Sequence, residues 1–110
     1  MLPLALLALA ADPVDYEKDV RPVLAAACVQ CHGENPKTRK ANLRFDTPTW
    51  ATDVTLVVPG KSDKSDVIAR LVSKNPRQVM PPPKFERQLT PAEIATLRRW
   101  VDEGAKTGTR

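Results

Sequence analysis

The chain has 110 residues, which is enough for one small domain and too few for two. Only 5% of its residues are aromatic while 11 are prolines, a combination that predicts a thin core with many fixed turns and argues against a large sheet. A core of this kind is often completed by a disulfide, a metal or a cofactor. The net charge of +4 favours an acidic partner or an anionic membrane surface. No nucleic-acid partner is expected, because no recognition motif accompanies the charge.

The first eleven residues, MLPLALLALAA, are apolar and uncharged. They are too short to span a bilayer, and Ala8-Leu9-Ala10 has the A-x-A pattern of a signal-peptide cleavage site, although no basic residue precedes it. We therefore expect residues 1–11 to be a secretory leader and residues 12–110 to form the functional domain. The protein is then periplasmic or otherwise exported, and membrane association is expected only if the leader is retained.

A first helix is predicted to begin at Tyr16 and to run into Cys28. Asp15 can cap its N-terminus, and the apolar residues that follow recur at helical spacing. Pro22 is awkward inside a helix because it lacks a backbone N–H and its ring clashes with the preceding turn. We therefore expect either a kink at Pro22 or a true helix start nearer to Arg21.

Both cysteines and the only histidine fall in one short motif, Cys28-Val29-Gln30-Cys31-His32. This C-x-x-C-H spacing is typical of c-type haem attachment, in which each thiol forms a thioether to a haem vinyl group. The histidine beside the second thiol is then held against one face of the iron. We therefore predict one covalently bound haem c, attached through Cys28 and Cys31, with His32 as an iron ligand.

Three other roles of the motif stay open. A disulfide between Cys28 and Cys31 is compatible with export, but so short a loop removes little chain entropy. A thioredoxin-type redox pair lies at a helix N-terminus, whereas here the predicted helix precedes the cysteines. A structural zinc site needs four ligands, so a carboxylate would have to join the two thiols and the imidazole.

The middle of the chain is predicted to be mostly loop up to residue 60, with a turn of helix near residues 47–51. Residues 55–58 are either a short extended piece or a buried loop segment, and the loop is favoured. The stretch GKSDKSDVIARLVS predicts a second helix with Ser62 as its N-cap. Its expected apolar stripe comprises Val67, Ile68, Leu71 and Val72.

Met80 is the only methionine that remains if the leader is removed. Three prolines follow it, at positions 81–83, and predict a stiff, extended segment. A methionine held on such a segment suits the second axial position of a haem iron, and a filled position favours electron transfer over ligand binding. The ordinary alternative is that Met80 fills a gap in the core, and lysines such as Lys84 are fallback ligands.

The last helix is predicted over the stretch LTPAEIATLRRWVDEG. Thr90 is its expected N-cap, Pro91 occupies the first helical position and Glu93 completes a capping box. Gly104 is expected to end the helix. The expected buried stripe comprises Ile94, Leu97, Trp100 and Val101.

The motif CVQCHG, a methionine in a proline-rich loop and a C-terminal amphipathic helix together resemble class I cytochromes c. The stretches DVRPVLAAACVQCHGENPKTRKANLRFDT, VVPGKSDKSDVIARL, VMPPP and LTPAEIATLRRWVDEGA resemble, more closely, the planctomycete-type cytochrome c domain. This resemblance covers residues 15–105. It implies an all-α fold of the small class I cytochrome c type, with N- and C-terminal helices packed around one covalently bound haem and long proline-rich loops. It also implies His32 as the proximal and Met80 as the distal iron ligand.

In such a fold the haem forms much of the core, so apolar residues near the motif are expected to line it. The expected haem-lining residues are Leu24, Ala27, Leu43, Phe45, Ile68, Leu71, Leu97 and Trp100.

These features predict a single-haem electron carrier rather than an enzyme. One alternative is a haem enzyme or gas sensor with an open sixth position, against which the lack of a second histidine argues. Another is an electron-entry module of a larger oxidoreductase, since the domain often precedes others in the family that it resembles.

Basic residues in segments 33–44 and 74–99 predict a rim around the haem edge that docks a redox partner with an acidic surface. The alternative is an ordinary solvated basic surface.

Overall fold

The computed structural model describes residues 12–29, 31–33, 35, 37, 39, 40 and 43–108. Throughout these ranges the chain forms helices and loops without a β-strand, which agrees with the all-α prediction. The leader assigned to residues 1–11 lies outside them. Among the helices that the structure describes, none combines the length and the apolarity needed to cross a membrane.

The N-terminal helix is built in two parts. A π-helical turn, Tyr16–Val20, is capped by Asp15, whose carboxylate accepts the backbone N–H of Lys18 at 2.9 Å. The α-helix α1, Arg21–Ala27, follows directly. The change of geometry places Pro22 in the first turn of α1, where a missing N–H needs no partner. The predicted cap is confirmed, and the helix accommodates Pro22 by starting a new α-helical segment at Arg21.

Two short 3₁₀ helices and one α-helix form the middle of the chain. The first 3₁₀ helix, Pro48–Thr52, matches the predicted turn of helix. Residues 55–58 are loop, as favoured, and Val57 within them is buried. The second 3₁₀ helix, Ser62–Lys64, precedes the α-helix α2, Asp66–Val72.

The predicted N-cap of α2 is wrong. Ser65, not Ser62, precedes the helix. The backbone N–H and the hydroxyl of Ser62 both donate to the carboxylate of Asp102, at 2.8 and 3.0 Å. Val72 was expected in the buried stripe but is 46% exposed because the helix ends there, so Ile68 is the centre of the buried face.

The C-terminal helix α3, Pro91–Asp102, has the predicted capping box. The Thr90 hydroxyl accepts the N–H of Glu93 at 3.1 Å, and the Glu93 carboxylate accepts the N–H of Thr90 at 2.9 Å. Gly104 follows the end of the helix with φ of +111°, a left-handed conformation that favours glycine. The local signals at both ends of α3 are therefore confirmed.

Aromatic rings are concentrated in one part of the core. Phe45 packs on Trp50, Trp50 on Trp100 and Trp100 on Tyr16, with centroid separations of 4.8, 5.5 and 5.5 Å. The indole N–H of Trp50 donates to the Tyr16 hydroxyl at 3.1 Å. A chain with few aromatic residues thereby joins the N-terminal turn, the first 3₁₀ helix and α3 through a single cluster.

Candidate functional site

The C-x-x-C-H motif begins where α1 ends. Cys28 is the C-cap of α1, and its N–H donates to the carbonyl of Leu24 at 2.8 Å. The N–H groups of Cys31 and His32 both turn back to the carbonyl of Cys28, at 3.3 and 2.9 Å. This turn holds the three side chains of the motif beyond the helix end. Both cysteines are partly buried free thiols.

The imidazole of His32 is buried, with only 9% of the residue exposed. Its Nδ1 lies 2.9 Å from the carbonyl oxygen of Lys40. Because a carbonyl can only accept, Nδ1 carries the proton and Nε2 keeps its lone pair. Burial lowers the pKa of His32, against the opposing effect of the Lys40 carbonyl, so the ring is neutral at pH 7. His32 therefore has the tautomer of a metal ligand that binds through Nε2.

The chain after the motif folds back and fixes the position of His32. The N–H of Lys40 donates to the Cys31 carbonyl, and the N–H of Phe45 donates to the His32 carbonyl, both at 2.6 Å. The ring of Phe45 meets the imidazole edge-on, with centroids 5.5 Å apart and an interplanar angle of 81°. Backbone and ring contacts together restrict the rotation of the imidazole.

Burial raises the pKa of the Cys28 thiol to about 11. The positive charge of Arg87 opposes this shift, and the neighbouring Cys31 adds to it. Cys28 is therefore a protonated thiol at neutral pH, whereas a thioredoxin-type pair depends on a lowered thiol pKa. The electrostatics of the site thus disfavour the redox-pair alternative.

Cys28 borders a small apolar hollow with a volume of about 20 Å³. Six of the eight residues expected to line a haem also line this hollow: Leu24, Phe45, Ile68, Leu71, Leu97 and Trp100. The other two lie elsewhere. Ala27 is buried at the end of α1, and Leu43 is partly buried against the core.

Met80 lies on a loop joined to α2. Its N–H donates to the carbonyl of Arg70 at 3.0 Å, and its peptide bond to Pro81 is cis. The side chain is partly buried, and in the described part of the chain it is not among those that line the hollow or pack against the core. The predicted extended segment is also shorter than expected, because the N–H of Phe85 donates to the carbonyl of Pro82 and the chain turns there.

The donor set of the motif fits a c-type haem. Two thiols and a neutral imidazole with a free Nε2 are the groups that such a haem uses. The hollow alone has room for only about one water molecule, whereas cofactor pockets measure about 300–1,000 Å³. A haem at this site would therefore need the walls of the hollow to separate. Within the described ranges no three His, Cys, Asp or Glu side chains form a metal-binding group, so the carboxylate that the zinc alternative requires is not found there.

Sequence reasoning did not identify the contacts that three residues make at this site. The Lys40 carbonyl that orients His32 is a backbone group, which no side-chain pattern can reveal. Arg87 forms a two-bond ion pair with Glu93, at 2.9 and 2.6 Å, across the boundary between a loop and a helix. Gln88 donates to two loop carbonyls. For Arg87 and Gln88 the sequence offered one indication, their position between the three prolines at 81–83 and the capping box of α3.

Comparison with known proteins supports the assignment of the motif. A family model described as Planctomycete cytochrome C matches residues 28–84, about half of the chain. The match starts at Cys28 and includes His32 and Met80. Searches of curated proteins and of solved structures each found no match.

Proposed function

Because the chain belongs to the planctomycete cytochrome c family, we propose that it is a single-haem electron-transfer protein with His/Met ligation. Cys28 and Cys31 would attach haem c through thioethers, and His32, through Nε2, and Met80 would be the protein ligands of its iron. The observation that carries this proposal is the buried, neutral His32, whose Nδ1–H is bonded to the Lys40 carbonyl.

When bound, haem supplies an iron that changes reversibly between its ferrous and ferric states. The contribution of the chain is to hold the ligands still. The Lys40 carbonyl and the Phe45 ring restrict the imidazole, so little rearrangement accompanies a change in charge. The apolar residues beside Cys28 exclude water and favour the less charged ferrous state, which raises the reduction potential.

The visible spectrum of the haem-loaded protein, oxidised and reduced, tests this proposal. The protein is produced in a host that matures c-type haem, as the parent, as Met80→Ala and as the neighbouring control Val79→Ala. We expect a low-spin spectrum with a methionine-to-iron band that Met80→Ala loses and Val79→Ala keeps. A high-spin parent spectrum that Met80→Ala leaves unchanged would reject this ligation and favour the enzyme or sensor alternative. Failure to bind haem covalently would reject the cytochrome assignment itself.

We also propose that the protein docks partners with an acidic surface. Arg77 and Lys84 are exposed on the loops around Met80, whereas Arg87 is engaged by Glu93. Such cations raise the rate of encounter with anions, and salt weakens the effect.

The docking proposal is tested by the rate of oxidation by ferricyanide, an anion. The double variant Arg77→Gln/Lys84→Gln should react more slowly and depend less on salt than Lys61→Gln/Lys64→Gln. The control pair removes the same amount of charge at a different place. Its lysines lie at the 3₁₀ helix Ser62–Lys64, which is bonded to Asp102 at the C-terminal end of α3, whereas Glu93 lies at the N-terminal end. Equal rates for the two variants would favour a generic basic surface.

We also propose that the protein is exported to the periplasm. The apolar residues 1–11, with the A-x-A pattern at positions 8–10, are typical of a secretory leader. N-terminal sequencing of the protein recovered from a bacterial periplasm tests it. A mature N-terminus near Ala11 supports cleavage of the leader, and recovery only from the cytoplasm contradicts export.

A further inference from the structure

The loop that follows Met80 is closed by the side chain of Gln88. Its Nε2 donates to the carbonyl of Pro82 at 2.9 Å and to the carbonyl of Phe85 at 2.8 Å. The N–H of Phe85 also donates to Pro82, at 2.9 Å. Both amide protons of Gln88 are thus used to hold a single turn.

The loop depends on this side chain because it is poor in backbone donors. Positions 81–83 are prolines, and proline has no N–H. These positions can therefore accept main-chain hydrogen bonds through their carbonyls but cannot donate any. The amide of Gln88 supplies from a side chain the donors that the backbone lacks.

Both ends of the loop are anchored to helices. The N–H of Met80 donates to the Arg70 carbonyl in α2 at 3.0 Å. At the other end, Arg87 pairs with Glu93 in the first turn of α3 and also donates to the carbonyl of Gln88. Glu93 is in turn fixed by its capping box with Thr90. With both ends held, the amide of Gln88 adds two hydrogen bonds to the turn between them.

We propose that Gln88 is a positioning residue that holds Met80 in place as an iron ligand. This inference rests on the His/Met ligation proposed above. A thioether is a weak ligand, so its binding depends on a support that keeps it from moving away. Gln88 provides this support without touching the iron, through the carbonyls of the residues that follow Met80.

The test is Gln88→Glu in the haem-loaded protein. This change keeps the size of the side chain, removes both N–H donors and sets a carboxylate against two carbonyls. The matched control is Gln78→Glu, an exposed glutamine on the preceding loop. Gln88→Ala, which removes the amide without adding charge, is measured in parallel. The methionine-to-iron band is followed against temperature, with far-ultraviolet circular dichroism as the measure of global unfolding.

We expect about a tenfold larger population without the methionine bond in both Gln88 variants, from the loss of two hydrogen bonds. The band should disappear before the helices unfold, while Gln78→Glu behaves as the parent. Equal behaviour of the Gln88 and Gln78 variants would overturn the proposal. So would loss of the band and of the helices together, which indicates a merely structural role, or an effect in Gln88→Glu alone, which assigns it to the added charge. A parent without the band would refute Met80 ligation itself, and the role of Gln88 with it.

Discussion

Gly33 follows His32 directly, and the structure leaves no room for a side chain there. A Cβ at this position would lie 2.4 Å from the carbonyl oxygen of Val29 and 3.0 Å from its Cγ1. The carbonyl contact must lengthen by about 0.6 Å before it reaches the shortest separation that real Cβ atoms show. Neither side yields easily, because the Val29 N–H donates to the Leu24 carbonyl and the Gly33 carbonyl accepts from Arg39. Gly33→Ala should therefore destabilise the fold by about 2–3 kcal/mol, the cost of overpacking a closed site.

The matched control is Gly108→Ala, because a Cβ at Gly108 meets nothing within 4 Å. Denaturant unfolding of the purified proteins, followed by circular dichroism, gives the free energy of unfolding for parent and variants. Gly108→Ala should stay within about 0.5 kcal/mol of the parent, as surface substitutions usually do. A Gly33→Ala protein as stable as the control would refute the reasoning, since it would show that the turn after His32 relaxes freely.

Three further predictions concern the core and the N-terminus of α3. Tyr16→Phe should cost about 1–3 kcal/mol in denaturant unfolding, because the buried N–H of Trp50 loses its acceptor. Ile68→Ala should cost about 2–5 kcal/mol in the same assay, because the side chain is 1% exposed and its removal enlarges the hollow beside Cys28. The Arg87 guanidinium lowers the pKa of Glu93 from 4.5 to about 2. Glu93 therefore contributes stability above pH 4.5 that is lost as the pH falls towards 2, and the stability difference between the parent and Glu93→Gln should shrink over that range.

Each of these predictions has an outcome that would contradict it. In a Trp50→Phe background no indole N–H remains to lose its acceptor, so Tyr16→Phe should cost less than in the parent. An equal cost in both backgrounds would contradict the hydrogen-bond explanation. Ile68→Ala would contradict the burial argument if it cost no more than Val54→Ala, a change at a residue that is 75% exposed. A parent and Glu93→Gln that differ equally at pH 6 and pH 2 would show that the ion pair with Arg87 does not contribute, and Glu86→Gln is the exposed control.

Much of the fold could be predicted because its signals are local. Asp15 and Thr90 accept N–H groups three residues ahead, so their caps depend only on short stretches of sequence. The spacing of Cys28, Cys31 and His32 likewise needs one turn of chain to bring the side chains together. Local hydrogen-bond geometry is nearly the same in every protein, and a short pattern therefore predicts it.

The wrong expectation at Ser62 has the opposite cause. A serine before a helical pattern is a good N-cap, but Ser62 donates to Asp102, which is 40 residues away. Packing of the 3₁₀ helix against α3 places the carboxylate within reach, and that contact is stronger than a local cap. No property of the sequence around Ser62 indicates this partner.

By itself the sequence determined the haem motif, the helix caps and the position of a methionine on a proline-rich segment. Only the tertiary structure decided which nitrogen of His32 carries the proton, since the fold-back of the chain after the motif brings the Lys40 carbonyl to Nδ1. It also decided that Trp50 and Tyr16 share a hydrogen bond and that Gln88 closes the loop after Met80. The physical reason is the same in each case: a polar group takes the partner that the folded chain brings near it, whether from the same loop or from a distant segment, and no fixed spacing in the sequence specifies that partner.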